Sequence, residues 1–74
     1  MQPYFNSTGK SNIDAYEIGD DFIKVSFSNG VTYTYDYDST GEEMVDEMKR
    51  LAESGSGLNG FINQYAKESY ADTE

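Results

Sequence analysis

The chain contains neither cysteine nor histidine. That removes disulfide stapling, zinc held by thiolate or imidazole, and every catalytic scheme built on a Cys or His nucleophile or base. Basic residues are scarce: five, against fourteen acidic ones, for a formal net charge of −9. Such a charge repels phosphate backbones and disfavours general nucleic-acid binding through counterion release. Long apolar runs are missing too, since no segment approaches the roughly 20 apolar residues that span a bilayer. The opening MQPYFNSTGK lacks the basic start and apolar stretch of a secretion signal. The expectation is a soluble chain with no membrane partner. A cytoplasmic location is the default that the absence of cysteine fits.

What is present is aromatic and acidic. Seventy-four residues allow one domain with a modest core, and eleven aromatics, seven of them tyrosine, supply much of its packing surface. Residues 1–10 show no periodicity and read as a flexible arm in which Tyr4 and Phe5 are the residues able to pack on the domain, with the domain proper at 11–66 and a frayed acidic tail at 67–74. In NIDAYEI, residues 12–18, the two-residue alternation of a strand changes phase between Ala15 and Tyr16, which a β-bulge explains. Gly19-Asp20-Asp21 is a turn, and FIKVSFS, residues 22–28, alternates cleanly with Ile23, Val25 and Phe27 on one face.

Asn29-Gly30 marks a hairpin that two registers fit. A two-residue turn splits the apolar residues of the flanking strands between both faces. A three-residue loop with Gly30 left-handed pairs Val25 with Tyr33 and Ile23 with Tyr35, and places everything apolar together. The second is expected, because so small a sheet has helix enough to cover only one face. Tyr33 and Tyr35 are then core, and Tyr37, at the end of VTYTYDY (residues 31–37), is partly exposed.

Beyond Tyr37 the period becomes 3.6. Met44, Val45, Met48, Leu51 and Ala52 form one stripe of an amphipathic helix from about Gly41 to Ser54. Ser39 or Thr40 is the expected cap, each with a glutamate three residues on. Gly55-Ser56-Gly57 ends it, and a second, shorter helix is expected from Leu58 to Tyr65, with Leu58, Phe61, Ile62 and Tyr65 on one side. The fold class is α+β, a three-stranded antiparallel meander followed by two helices packed on one face.

Ser11-Asn12-Ile13, Val25-x-Phe27-x-Asn29-Gly30 leading into Val31-x-Tyr33-x-Tyr35, and Gly60-Phe61-Ile62 together resemble the KTSC domain, a module similar to the C-terminal extension of some lysyl-tRNA synthetases. The likeness covers about residues 10–65. It implies this α+β fold and an accessory role beside RNA or tRNA, served by a solvent-facing tyrosine and a basic patch including Lys10, Lys24 or Lys67. The segment after Tyr35 is more acidic than that role favours.

Two readings compete for DYDSTGEEMVDE, residues 36–47. As a calcium loop it places Asp36, Asp38, Thr40, Gly41, Glu42 and Glu47 at ligand positions. However, a strand precedes it where a helix should enter, and Glu47 falls in the second turn of the expected helix. As an interaction surface it offers six acids, Asp36, Asp38, Glu42, Glu43, Asp46 and Glu47, with no base among them, beside Tyr37. Asp14, Glu17, Asp20 and Asp21 add a further acidic group around the first turn. The expected protein is non-enzymatic and needs no cofactor or metal, because its carboxylates lie in turns and on an exposed helix face, where nothing raises a pKa. Its expected partner is a basic protein surface, of which nucleic-acid-binding proteins are the commonest owners. Small phage-borne anti-defence proteins such as anti-CRISPRs act in this way, as nucleic-acid mimics. The chain itself is expected to be a monomer or weak homodimer, with an open strand edge as the route to self-association.

Overall fold

The computed structural model describes residues 1–5 and 11–74. Its centre follows from the alternation. Strands β2 (Ile13–Ile18), β3 (Phe22–Phe27) and β4 (Thr32–Asp36) form an antiparallel meander. Across β3 and β4, Ile23 faces Tyr35 and Val25 faces Tyr33. The Phe27 N–H donates to the Val31 carbonyl at 2.9 Å and the Gly30 N–H to the Phe27 carbonyl at 3.0 Å, with Gly30 at φ 89°. This is the bulged three-residue loop, and glycine is needed in it because a side chain at that φ is strained.

The phase change in β2 is also resolved by a bulge, although it falls earlier than the pattern suggested. Ile13 faces Phe27 and Ala15 faces Ser26, which leaves Asp14 as the extra residue. Ile13, Tyr16 and Ile18 thereby share the face of Phe27, Val25 and Ile23.

The expected three-stranded meander is the middle of a five-stranded sheet in the order β1-β2-β3-β4-β5. Strand β1 (Gln2–Pro3) pairs with β2, Gln2 opposite Tyr16 and Pro3 opposite Ala15. It comes from the segment read as a flexible arm, and its anchor is Tyr4, which is 7% exposed. The Tyr4 N–H donates to the Asp14 carbonyl at 2.9 Å, and the Tyr4 hydroxyl accepts from the buried Leu58 N–H at 3.2 Å. The rest of that arm, residues 6–10, lies outside the described residues. Strand β5 (Asp72–Thr73) comes from the segment read as a frayed tail and pairs with β4, Asp72 opposite Thr34 and Thr73 opposite Tyr33. Glu74 exchanges two backbone hydrogen bonds with Thr32, at 2.7 and 3.0 Å, and its carboxylate meets Lys24 at 3.6 Å. Both outer strands are held mainly through backbone groups, which leave no hydrophobic alternation to read.

Helix α1 (Glu42–Ser54) lies across β3 and β4 and buries Val45, Met48 and Ala52. It ends at Gly55, left-handed at φ 77°, whose N–H donates to Leu51 and Ala52 carbonyls at 3.1 and 3.2 Å. Its start differs from expectation. The cap residue is Gly41, at φ 101°, and no side chain caps the helix. Ser39 and Thr40 are engaged elsewhere, Ser39 with Asp36 and Thr40 with the Ser69 carbonyl, to which its hydroxyl donates at 2.6 Å.

A short helix α2 (Leu58–Phe61) continues as a π-helical segment (Ile62–Ala66). The buried line is Leu58, Ile62 and Ala66, while Phe61 packs at the margin and Tyr65 is 57% exposed. Tyr65 therefore leaves the apolar side on which the spacing placed it, and Ala66 replaces it. The helices share one core with the sheet face carrying Ile13, Ile23, Val25 and Tyr35. Each fully buried aliphatic side chain contributes about 1.5–3 kcal/mol to that core. The opposite sheet face shows Glu17, Lys24, Ser26, Thr32 and Thr34 to solvent. No helix among the described residues is long and apolar enough to cross a membrane.

Candidate functional site

The acidic stretch runs off the end of β4, through a tight turn, into the first two turns of α1. The structure divides its six carboxylates into two groups. Asp36 is a brace for the turn: its Oδ1 accepts the Ser39 N–H and the Ser39 hydroxyl, both at 2.8 Å. Those bonds, the backbone one first, hold its carboxyl below the usual range although the side chain is solvated. Asp46 accepts a hydrogen bond from the Tyr37 phenol at 2.7 Å and lies 3.9 Å from the Lys49 ammonium. Glu47 is paired in two-pronged fashion with Arg50, one helical turn on, which lowers its pKa and raises that of the guanidinium.

Asp38, Glu42 and Glu43 form the second group. All three are exposed, and none makes a side-chain hydrogen bond or ion pair among the described residues. Glu42 and Glu43 occupy the first turn of α1, where the helix dipole favours negative charge. The six acids are thus three that hold structure and three that are available.

Tyr37 sits at the centre of this arrangement. Its N–H donates to the Asp21 carbonyl at 3.0 Å, which brings the β2–β3 turn against the start of α1. The phenol is pushed up to about 12, first by its bond to Asp46, then by burial, then by the charges of Asp46, Glu42 and Asp21. Lys49 lies 5.2 Å from the ring centroid and donates to the Asp20 carbonyl at 3.1 Å. Of the acids of the first turn, Asp21 adds its charge to those of Asp46 and Glu42 at the Tyr37 phenol, and Asp20 lends its backbone carbonyl to Lys49. Asp14 and Glu17 stand on β2, away from that junction. Sequence reasoning missed Lys49 and Arg50 as partners. Their spacing of three from Asp46 and Glu47 is the signal that finds them.

The calcium-loop alignment does not survive this geometry. Asp36 is engaged with Ser39, Thr40 with Ser69 and Glu47 with Arg50, and no three His, Cys, Asp or Glu side chains among the described residues are grouped closely enough to hold a metal ion.

The tyrosines fall as the bulged register requires. Tyr35 is buried, and its phenol is pushed up to about 12, by burial above all and then by Tyr33 and Tyr70. Tyr33 is half-buried, edge-on to Phe27 with centroids 5.4 Å apart and against Tyr70 at 4.9 Å. Solvent-facing tyrosines do exist, at Tyr65 and Tyr70 on the C-terminal segment. Of the four basic side chains among the described residues, Lys24 meets Glu74, Lys49 meets Asp46, Arg50 meets Glu47, and Lys67 is exposed without an ion pair. Lys10 lies outside the described residues.

The described surface carries shallow recesses. One, of about 450 Å³, lies beside β1 between Tyr16, Ile18 and Glu53 and is broadly open. Another, of about 210 Å³, lies between the β3–β4 hairpin and α2. Comparison with known proteins finds no matching family model, no matching curated sequence and no matching solved structure.

Proposed function

We propose that this is a small non-enzymatic binding protein whose acidic face, at the junction of β4 and α1, engages a basic surface of a nucleic-acid-binding protein. In its concrete form it is a phage-type nucleic-acid mimic that occupies the partner's groove, as an anti-CRISPR or other anti-defence inhibitor does. The observation that carries this reading is the division of the acids. Asp36 and Asp46 brace the junction, Glu47 is paired with Arg50 within α1, and Asp38, Glu42 and Glu43 stand out as anions with no ion-pair partner among the described residues. A braced backbone presents these charges from set positions, so only side-chain freedom is lost on contact, and a net charge of −9 steers a basic partner toward them.

The test uses the immobilised protein and a triple variant, Asp38→Asn with Glu42→Gln and Glu43→Gln, which removes three charges and no side-chain hydrogen bond. The captured partner should be a nucleic-acid-binding protein that competing oligonucleotide releases and that the triple variant fails to retain. Capture that persists unchanged at about 0.5 M salt, where screening leaves exposed charges only a few ångströms of reach, would sink the proposal. A second reading, the RNA-associated module implied by the KTSC likeness, draws on exposed Tyr65 and Tyr70 flanking Lys67 in sequence. A gel shift with tRNA at low salt tests it, and absence of a shift under those favourable conditions eliminates it.

A further inference from the structure

The recess between the hairpin and α2 differs chemically from the rest of the molecule. One wall is aromatic: Phe27, Tyr33 and Tyr35, all from the core-facing side of β3 and β4. The other carries Ile62 and a polar rim of Asn59, Asn63 and Lys67, spaced four residues apart along α2, the π-helical segment and the residue that follows it, and Asn12 and Asn29 complete the lining. No carboxylate lines it. In a chain with fourteen acids and five bases, this is a place where the local charge is reversed.

We infer that this recess is a binding site for a small free aromatic carboxylate, whose ring lies against Phe27 and Tyr33 and whose carboxylate meets Lys67 and the two amides. Sign comes from the side-chain inventory. The Lys67 ammonium offers three donors and no acceptor and sets the sign, while each amide can turn its NH2 donors to an anion beside it, so the rim suits an anion and offers a cation no counter-charge. Shape comes from the aromatic wall. Phe27 and Tyr33 pack nearly perpendicular, at 87°, and Tyr70 lies against Tyr33 at 4.9 Å, so the wall is packed before any ligand arrives. Size comes from the volume. About 210 Å³ is room for roughly seven waters at their liquid density and falls below the range of drug-sized sites, which restricts the occupant to one ring and one anionic group. The phenol of Tyr35 stays protonated well past neutral pH, and adds no competing charge to the site.

This site is separate from the acidic face, and its test is independent of that proposal. The intact protein is titrated at constant ionic strength with benzoate, benzamide and benzylamine, and followed by the side-chain amide signals of Asn59 and Asn63 and the ring signals of Tyr33. Benzoate should shift these signals saturably, with a dissociation constant on the order of 1 mM, as expected of so small a ligand. Benzamide should bind about tenfold more weakly, the factor set by one charge-assisted hydrogen bond, and benzylamine should cause no saturable shift. Lys67→Gln should reduce benzoate affinity by the same factor of about ten while leaving the unliganded spectrum otherwise unchanged, since Lys67 is exposed. Equal affinity for benzoate and benzamide, or an unaltered affinity in Lys67→Gln, overturns the inference. Saturable binding of uridine 5′-monophosphate at the same signals, tighter than benzoate, overturns it in favour of a nucleotide site.

Discussion

Tyr4 offers the sharpest test of how this fold is held together. It belongs to a segment that carries no periodic signal, yet its ring is buried and its hydroxyl accepts the N–H of Leu58, the first residue of α2. That N–H is one of the orphan donors at a helix start, and Leu58 itself is fully buried, so water has no access to replace the phenol. Tyr4→Phe keeps the ring and removes the acceptor. The expected loss is about 1–3 kcal/mol, the cost of leaving one buried donor unsatisfied. Tyr4→Ala removes the ring as well and should cost about 3–5 kcal/mol, the range for deleting a buried aromatic side chain. In a domain of this size each kcal/mol moves the melting temperature by about 4–8 °C. The assay is thermal and urea unfolding followed by circular dichroism, with Phe5→Ala as the control because Phe5 is 79% exposed. If both Tyr4 variants unfold within about 0.5 kcal/mol of the wild type, as surface substitutions do, β1 is not docked and the reasoning fails.

Three further predictions rest on different parts of the molecule. Gly60→Ala should stabilise by about 0.5–1 kcal/mol, since Gly60 is helical and open around its Cα, whereas Gly41→Ala should destabilise by about 1–2 kcal/mol because φ 101° is strained for any side chain; chemical unfolding of the pair reads both signs. Two of the seven phenols, Tyr35 and Tyr37, should ionise near pH 12, and Tyr37→Phe should remove one of them in an ultraviolet titration. Their folded pKa values lie above the unfolded value of 10, so the stability they supply is complete below pH 10 and is lost as pH rises from there to about 12; alkaline unfolding that sets in below pH 9 contradicts this. Truncation after Ser69 should expose the β4 edge at Thr32 and Thr34, and sedimentation should then show stronger self-association than that of the full chain; a truncated chain that associates no more than the full one refutes the view that β5 protects that edge.

The parts of the fold legible in the sequence are those that hydrophobic residues write. The stripe containing Val45, Met48 and Ala52 and the alternation of Ile23 and Val25 each had to bury one face, and only the bulged hairpin let Tyr35 join them. The parts that stayed hidden are held by backbone groups or by one residue. Gln2 and Pro3 gain strand geometry because Tyr4 is anchored 54 residues away, and Asp72 and Thr73 because Thr32 and Thr34 offer an open ladder. The cap of α1 was misread for a related reason. Ser39 and Thr40 are good caps in isolation, but Asp36 and Ser69 compete for their hydroxyls, and a glycine at positive φ starts the helix without either. At the candidate site, residue types identified the acids correctly, but only coordinates could show that half of them are already paired.

That pairing bears on whether the acidic face is functional or merely solubilising. A solubilising face needs charge but no fixed geometry, and its acids are indifferent to one another. Here Tyr37 ties β4 to α1 through Asp46, Asp36 fixes the turn between them, and Arg50 holds Glu47, so Asp38, Glu42 and Glu43 are presented from a braced junction. Glu42 and Glu43 also stabilise α1 through its dipole, by about 0.3–1 kcal/mol each, and this second role complicates any charge-removal experiment. The two roles separate by comparing variants. Asp38→Asn lies outside the helix and touches no dipole, so it should weaken partner capture while leaving stability unchanged. Arg50→Gln frees Glu47 without adding a charge to it, and should strengthen a charge-driven association by releasing one more anion to the partner. A merely solubilising face predicts neither effect on capture, and the two variants together decide between the readings without any assumption about the partner's identity.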